Sequence, residues 1–148
     1  MSNTNHDRFV MEENSLLIKK QVREQLVEVE KKYQVNLDMY RNKLAFKDLP
    51  DVLFADEVIQ FITAGYYNGN NYMLVCTNKR ILAMDKGMLY KLRLEEIPLN
   101  RIKSVSYRKK LLFAEMEIIT TYATITIDQM YKDQVAHFAA AIEEQLQP

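Results

Sequence analysis

Histidine and cysteine, two residue types that often mark catalytic or metal sites, are sparse in this sequence. The histidines are His6, near the N-terminus, and His137, one helical turn after Asp133. The single cysteine, Cys76, lies inside an apolar run that predicts a strand. A His–Asp pair at this spacing is typical of a solvated helix face, and a lone strand cysteine is typical of a small core residue. These residues therefore indicate neither a transition-metal site nor an activated nucleophile.

The other candidates for chemistry are also weak. The three glycines, Gly65, Gly69 and Gly87, do not form a phosphate-binding loop. Glu115 and Glu117 share one face of a predicted strand, as paired acid–base carboxylates do. Alternating charges on an exposed strand also keep it soluble, and we favour that interpretation. We therefore expect a protein that is not an enzyme and that needs no cofactor or metal.

The clearest local charge lies between Ile97 and Ala114, which contains five basic residues and no acid. They are Arg101, Lys103, Arg108, Lys109 and Lys110. Because the whole chain has 20 basic and 20 acidic residues, this patch is the one strong local field. It indicates an anionic ligand or membrane surface near the turn at 108–110, or else a basic hairpin tip balanced by nearby acids. We do not expect nucleic acid as a partner, because Tyr107 is the one aromatic residue interleaved with these basic residues.

Length and composition allow one domain with an appendage. The chain has 148 residues, of which 48% are hydrophobic. Residues 1–14 are polar and partly acidic, unlike a signal peptide, and predict a flexible tail. No uncharged apolar run approaches the roughly 20 residues needed to cross a bilayer. One cysteine excludes an internal disulfide and favours a reducing compartment, so we expect a cytoplasmic protein.

Residues 15–48 predict a charged helical arm. A narrow apolar stripe with spacings of four and three runs along its first half. The stripe comprises Ile18, Val22, Leu26, Val29 and Tyr33. Asp38 is placed to cap a second helix that continues to about Lys47, so the arm is either one bent helix or two. The stripe suits helix-on-helix packing. We favour self-association over an arm folded back on its own domain.

From Val58 to Asp128 the apolar period is two, which predicts seven consecutive strands in an antiparallel meander. Their expected bounds are Val58–Tyr67, Asn71–Thr77, Arg80–Asp85, Leu89–Ile97, Arg101–Tyr107, Leu111–Thr120 and Tyr122–Asp128. Asn68-Gly69-Asn70 and Lys86-Gly87 supply hairpin turns. We expect one face of the fourth strand to carry Leu92 and Leu94, and one face of the sixth to carry Leu112, Ala114, Met116 and Ile118.

The last segment returns to a helical period. Its apolar face carries Val135, Phe138, Ala139, Ile142 and Leu146. This pattern predicts an amphipathic helix, and we expect Phe138 and Ile142 to plug the open end of the curled sheet.

Two motifs resemble those of the bacterial pleckstrin-homology-like (PH-like) domains. Asn71–Leu82 contains a strand that ends in Thr-Asn-Lys-Arg, and Glu96–Val105 contains Ile-Pro-Leu-Asn-Arg-Ile-Lys-Ser-Val. They match the signatures T-(D/N)-(K/R)-R and I-P-(L/Y)-x-x-I-x-S-(V/I). The resemblance covers roughly Leu49 to Leu146 and implies a seven-strand barrel with one helix, which the periodicity predicts independently. It implies no settled activity, although an oligomeric or assembly role is commonly proposed.

The sequence thus predicts a mainly β protein with flanking helices. The flexible tail covers residues 1–14, the helical arm 15–48, and a PH-like seven-stranded antiparallel barrel capped by a C-terminal α-helix covers 49–148. We expect this barrel to fold without the arm. The predicted function is a non-catalytic interaction module that self-associates or docks a protein partner through the barrel and arm. The alternative is peripheral binding to a membrane or anionic ligand through the basic patch.

Overall fold

Antiparallel strands flanked by helices make up the computed structural model, which describes residues 4–86 and 91–147. In this part of the chain the helices are α1 (Thr4–Tyr33), α2 (Asp38–Arg41), α3 (Leu44–Val52) and α4 (Val135–Leu146). The strands are β1 (Ile59–Tyr67), β2 (Asn70–Thr77), β3 (Arg80–Lys86), β4 (Leu92–Pro98), β5 (Ile102–Lys109), β6 (Ala114–Thr120) and β7 (Thr124–Met130). The strand order is β4-β3-β2-β1-β7-β6-β5. The predicted fold class is confirmed.

The sheet bends sharply where β1 meets β7. These two strands share a single residue pair, Tyr66 with Asp128, so β1–β4 and β5–β7 form two halves that face each other across the core. Gly65 permits this close approach, because a Cβ there would lie 2.4 Å from the Cγ2 atom of Ile127. Helix α4 covers the opening between the halves, and Phe138 and Ile142 are fully buried, as predicted.

The first hairpin turn follows the sequence prediction. Asn68 has a φ angle of 49° and Gly69 has a φ angle of 83°, the paired positive values that a type I′ turn requires. The fourth predicted strand is observed from Leu92 to Pro98. The first residues of that prediction, and Gly87 of the second predicted turn, lie outside the described residues.

The predicted apolar face of β4 is confirmed only in part, because Leu92 is partly buried against the core but Leu94 is exposed. Leu94 is 43% exposed, whereas Glu95 and Ile97 lie on the inner side, where they line a 240 Å³ cavity between the sheet halves. Ile97 pairs with Ile81 of β3 and faces the core with it. Because strand side chains alternate, an inward Ile97 also turns Glu95 inward and Leu94 outward.

The N-terminal helix is longer than the sequence predicted. Helix α1 has 30 residues, or about 45 Å, and begins at Thr4, so residues 4–14 are helical where a loose tail was expected. No glycine or proline interrupts this stretch. The helix ends at Tyr33, and the next residue, Gln34, forms a left-handed cap with a φ angle of 56°. The Val35 N–H then donates to the Glu30 carbonyl at 3.2 Å.

After α1 the arm contains two short helices instead of one. Lys43 adopts extended backbone angles between α2 and α3, so the predicted helix from Asp38 to Lys47 is broken. Helix α3 continues past Pro50 and ends at Val52. The arm therefore bends twice before it reaches β1.

The second half of α1 packs on the barrel of its own chain. Leu26 is fully buried, and it belongs to the same continuous core as the barrel side chains. The Tyr33 ring meets Phe61 of β1 edge-on, with 5.0 Å between the ring centroids. The Gln25 Oε1 atom accepts a 3.0 Å hydrogen bond from the Ile59 N–H. The arm is thus folded back, which was the second alternative of the sequence analysis.

Candidate interaction surfaces

The Thr-Asn-Lys-Arg signature builds a buried ion pair between β3 and the loop that joins α3 to β1. Both Arg80 and Glu57 are buried. The Arg80 Nη2 atom lies 2.7 Å from Glu57 Oε1, and its Nε atom lies 3.1 Å from Oε2. The Thr77 hydroxyl donates to the same carboxylate at 2.6 Å. Fork-to-fork geometry of this kind makes a strong and directional pair.

The same guanidinium also holds the end of the arm. Its Nη2 atom donates to the Val52 carbonyl at 2.9 Å, and the group lies over the Phe54 ring at 4.2 Å from the centroid. Burial raises the pKa of Glu57, but hydrogen bonds from Arg80 and Thr77 outweigh it, so the pKa lies below its ordinary value. The signature therefore has a structural role in this chain.

A second buried polar cluster fastens α2 to the barrel. The Oε1 atom of Gln134 accepts hydrogen bonds from the Tyr40 hydroxyl at 2.6 Å and from the Thr63 hydroxyl at 2.8 Å. Burial, partly opposed by hydrogen bonding, raises the pKa of Tyr40 to about 12. These groups are hydrogen-bonded to one another, so they position elements and are not open to a ligand.

The residues first considered for chemistry are dispersed. Cys76 is fully buried, and burial raises the pKa of its thiol to about 12, so it is protonated at neutral pH. His137 is half-buried beside Tyr33 and Phe61, with ring centroids 5.2 and 5.7 Å away, instead of lying on a solvated face. Within residues 4–86 and 91–147, no three His, Cys, Asp or Glu side chains are placed to hold a metal ion.

The apolar stripe predicted for self-association faces inward for most of its length. Val22, Leu26 and Val29 are buried and Tyr33 is partly buried, so these four residues are covered by their own chain. Ile18 is 38% exposed. In this structure the barrel supplies the apolar contacts that the spacing requires, so these four residues are not open to a second copy.

The first half of α1, residues 4–20, instead extends beyond the barrel, and we call it the free half. Its large apolar side chains are exposed, and Met11 and Leu16 are 71% and 65% accessible. The full set is Phe9, Val10, Met11, Leu16, Leu17 and Ile18. Single exposed leucines are ordinary on protein surfaces, but six large apolar residues within ten positions of one helix form a candidate docking surface. Sequence analysis missed it because these residues do not fall on a single helical stripe.

The five basic residues predicted as one patch occupy two ends of β5. Arg101 and Lys103 lie near the β6–β7 turn, where the Arg101 guanidinium is 5.8 Å from the Tyr122 ring centroid. Arg108, Lys109 and Lys110 lie at the opposite end, roughly 20 Å away along the strand. The structure therefore divides the predicted patch and leaves three of its bases at the β5–β6 hairpin tip.

At this tip the bases are partly balanced by acids. The Lys110 Nζ atom lies 2.6 Å from Glu115 Oε2 and 3.6 Å from Asp128 Oδ1, and the Arg108 Nη2 atom lies 3.4 Å from Glu115. Lys109 has no carboxylate within 4.0 Å among the described residues. The second alternative of the sequence analysis, a basic hairpin tip whose charge is balanced by nearby acids, therefore describes Arg108 and Lys110 but not Lys109.

Leu111 and Leu112 stand out at the same tip, in the turn before β6. Leu111 is 89% and Leu112 is 76% exposed. The sequence placed both in the sixth strand, with Leu112 on the same face as Met116. That facing is confirmed for Ala114, Met116 and Ile118, which are fully buried, and is wrong for Leu112, because the strand begins only at Ala114.

A family comparison accounts for the fold and the signature. Residues 53–144, more than half of the chain, match the family model described as Bacterial PH domain. The chain belongs to the bacterial PH domain family. No curated protein matches it. The family match begins just after α3 and includes the buried Arg80–Glu57 pair, whereas α1, α2 and α3 of this bacterial PH domain lie outside it.

Solved structures share the fold at low identity. A DUF1696 family protein with a pleckstrin-homology domain from Shewanella loihica is 20% identical, with a TM-score of 0.54 over 76% of this chain and 95% of that chain. The pleckstrin homology domain from Shewanella amazonensis is 19% identical, with a TM-score of 0.50 over 68% and 93%. The hSac2 domain from human phosphoinositide phosphatase Sac2 is 13% identical, with a TM-score of 0.50 over 75% and 83%. These likenesses show the fold alone.

In the described part of this bacterial PH domain, no helix is both long and apolar enough to cross a bilayer. Its candidate interaction surfaces are the free half of α1 and the β5–β6 hairpin tip, where large apolar side chains are exposed.

Proposed function

We propose that this bacterial PH domain is a non-catalytic interaction module that self-associates through the free half of α1. The observation that carries the proposal is the exposure of Phe9, Leu16 and Leu17, the three of its six exposed large apolar side chains that share one side of the helix. Leaving such a surface in water is costly, and a helix that projects from its domain is suited to pairing with another helix. The buried, protonated Cys76 thiol is consistent with a non-catalytic protein.

One face of the free half combines apolar and charged residues at a helical spacing. We call it the outer stripe, and it comprises Phe9, Glu13, Leu16, Leu17 and Lys20. The spacing places it opposite the inner face that carries Val22, Leu26 and Val29. The outer stripe is thus free while the inner face is held by the barrel.

The charges of the outer stripe favour an antiparallel pair of two copies. If the helices cross at Leu16 and Leu17, Glu13 of one copy lies opposite Lys20 of the other, twice by symmetry. The parallel arrangement places like charges opposite each other and is disfavoured. A second copy of the chain therefore complements the outer stripe in both charge and apolar content.

Light scattering on the full-length protein tests the proposal. We expect an oligomer whose mass falls to that of the monomer in the Leu16→Glu/Leu17→Glu variant, with unchanged circular dichroism. Met11→Glu is the matched control, because Met11 is equally exposed in the free half but lies on its other side. Wild-type protein that stays monomeric at its highest soluble concentration would contradict the proposal, as would a control that dissociates like the double variant.

Charge exchange tests the antiparallel geometry. Glu13→Lys and Lys20→Glu should each weaken association, because each places like charges opposite each other. The double exchange should restore association to near the wild-type level. A double exchange no stronger than either single variant would exclude this pairing.

A further inference from the structure

The β5–β6 hairpin presents a narrow apolar tip. The Lys110 N–H donates to the Phe113 carbonyl at 2.8 Å, which closes a tight turn and leaves Leu111 and Leu112 at its apex. The Lys132 Nζ atom donates to the Leu111 carbonyl at 3.1 Å and holds the turn against the end of β7. The two leucines therefore project from a held turn, with most of their surface in water.

Cations surround this apex. Arg108, Lys109 and Lys110 precede the leucines in the chain, and Lys132 approaches from the other side. The neighbouring carboxylates are Glu115 and Asp128, which pair with Lys110, and Asp133 beside Lys132. Four cations and three carboxylates leave a small positive excess at the apex.

We propose that this tip inserts Leu111 and Leu112 into the interfacial region of an anionic lipid bilayer. The proposal is independent of self-association through α1. The tip is narrow enough for its two exposed leucines to enter the headgroup region, and the cations around it complement the charge of acidic lipid headgroups. Lys109 has an apolar stem long enough to keep its ammonium group at the depth of the lipid phosphates while the leucines enter.

The charge balance determines the expected binding. A small positive excess gives modest attraction to acidic lipids, so the tip should bind reversibly and respond to salt. Two leucines surrounded by a small excess of cations make a single weak anchor, which is not enough for stable insertion.

Cosedimentation of the full-length protein with vesicles tests the proposal. We expect binding to vesicles of phosphatidylcholine with phosphatidylglycerol, weaker binding to pure phosphatidylcholine, and loss of the difference at high salt. Leu111→Ser with Leu112→Ser should weaken binding about tenfold or more, since two apolar side chains are removed from the interface. Leu94→Ser, at an exposed leucine on β4, is the matched control and should bind as the wild type does.

A second pair of variants tests the contribution of the cations around the apex. Lys109→Gln should weaken binding to the phosphatidylglycerol vesicles about fivefold and leave binding to pure phosphatidylcholine unchanged. Lys103→Gln, at the other end of β5, should change neither. Equal loss in both variants, or equal binding to both lipid compositions, would overturn the anionic preference and with it the proposal.

Tryptophan fluorescence gives a direct readout, because the chain has no tryptophan. In the Leu112→Trp variant, phosphatidylglycerol vesicles should shift the emission to shorter wavelength, and brominated lipid should quench it. An emission spectrum that the vesicles do not change would overturn the proposal. So would vesicle binding that is lost in Leu16→Glu/Leu17→Glu but retained in the tip double variant, because the arm would then be the lipid-binding element.

Discussion

At the scale of single residues, three contacts between separate parts of the chain converge on the buried Arg80 guanidinium. Arg80 contacts Glu57 and the Val52 carbonyl and lies over Phe54, so one guanidinium joins the end of the arm to the barrel. Periodicity identifies strands but does not show which charged residue at a strand end turns inward. That orientation depends on Glu57, 23 residues earlier in the chain.

Removing the guanidinium leaves a buried carboxylate without its cation. We expect Arg80→Leu to lower the free energy of unfolding by about 3–5 kcal/mol, measured by urea denaturation. The double variant Arg80→Leu/Glu57→Leu should recover a large part of that loss, because no charge is then left buried. A double variant less stable than Arg80→Leu alone would contradict this explanation, because the lost stability would then not come from an unpaired buried carboxylate.

The same pair predicts an acid-sensitive contribution to stability. Because the pKa of Glu57 is lower in the folded protein than its ordinary value of 4.5, its contribution is fully present above about pH 4.5. It is lost as the pH falls through the folded-state pKa. We expect Glu57→Gln to be less stable than wild type at neutral pH, with the difference shrinking towards low pH. A difference independent of pH between neutral and acidic conditions would contradict this assignment.

At the scale of elements, the sequence specified the apolar faces well and their partners poorly. The spacing of Val22, Leu26 and Val29 predicts a helix with one apolar face, and the structure has that helix. The same spacing suits a second copy or the chain's own barrel equally. The barrel prevails because it adds contacts that the stripe does not encode, including the Tyr33–Phe61 ring pair and the Gln25 hydrogen bond to β1.

The docked half of α1 should therefore contribute to folding stability. We expect Leu26→Ala to cost about 2–5 kcal/mol, as for other fully buried leucines, measured by thermal or urea unfolding. Val27→Ala is the control, because Val27 is the next residue and is 41% exposed. Its cost should stay within about 0.5 kcal/mol. Similar small costs at both positions would show that the arm is not packed as the structure has it.

At the β5–β6 hairpin, the sequence shows which residues are basic but not where the chain turns. The bases of β5 are visible in the sequence, yet a strand separates Arg101 and Lys103 from the others. Leu112 continues the alternation of β6 and was assigned to its core face. The turn begins two residues later than the pattern indicates, so Leu112 is exposed. A local pattern does not give the residue at which a hairpin turns.

At the scale of the whole molecule, the sequence predicted seven antiparallel strands and a closing helix because each carries its own periodic signal. The extent of the core was not predicted in the same way. The buried residues of α1, α2 and α3 and those of the barrel form one continuous cluster, which includes Leu26, Tyr40, Leu49 and Phe61. Contacts between segments distant in sequence produce this cluster, and composition does not reveal them.

A shared core changes what is expected of fragments. A chain of residues 50–148 would expose Phe61 and leave Gln134 without the Tyr40 hydroxyl. It would also lack most of α3, the helix whose last carbonyl accepts a hydrogen bond from Arg80. We expect this fragment to be markedly less stable than the full chain, in contrast to the independent folding that the sequence suggested.

Residues 20–148 keep the docked half of α1, so this fragment should unfold cooperatively with nearly full stability and remain monomeric. Urea unfolding and light scattering on both fragments test this. Equal stability of the two fragments would mean that the arm adds nothing to the core and that the barrel is the whole folding unit.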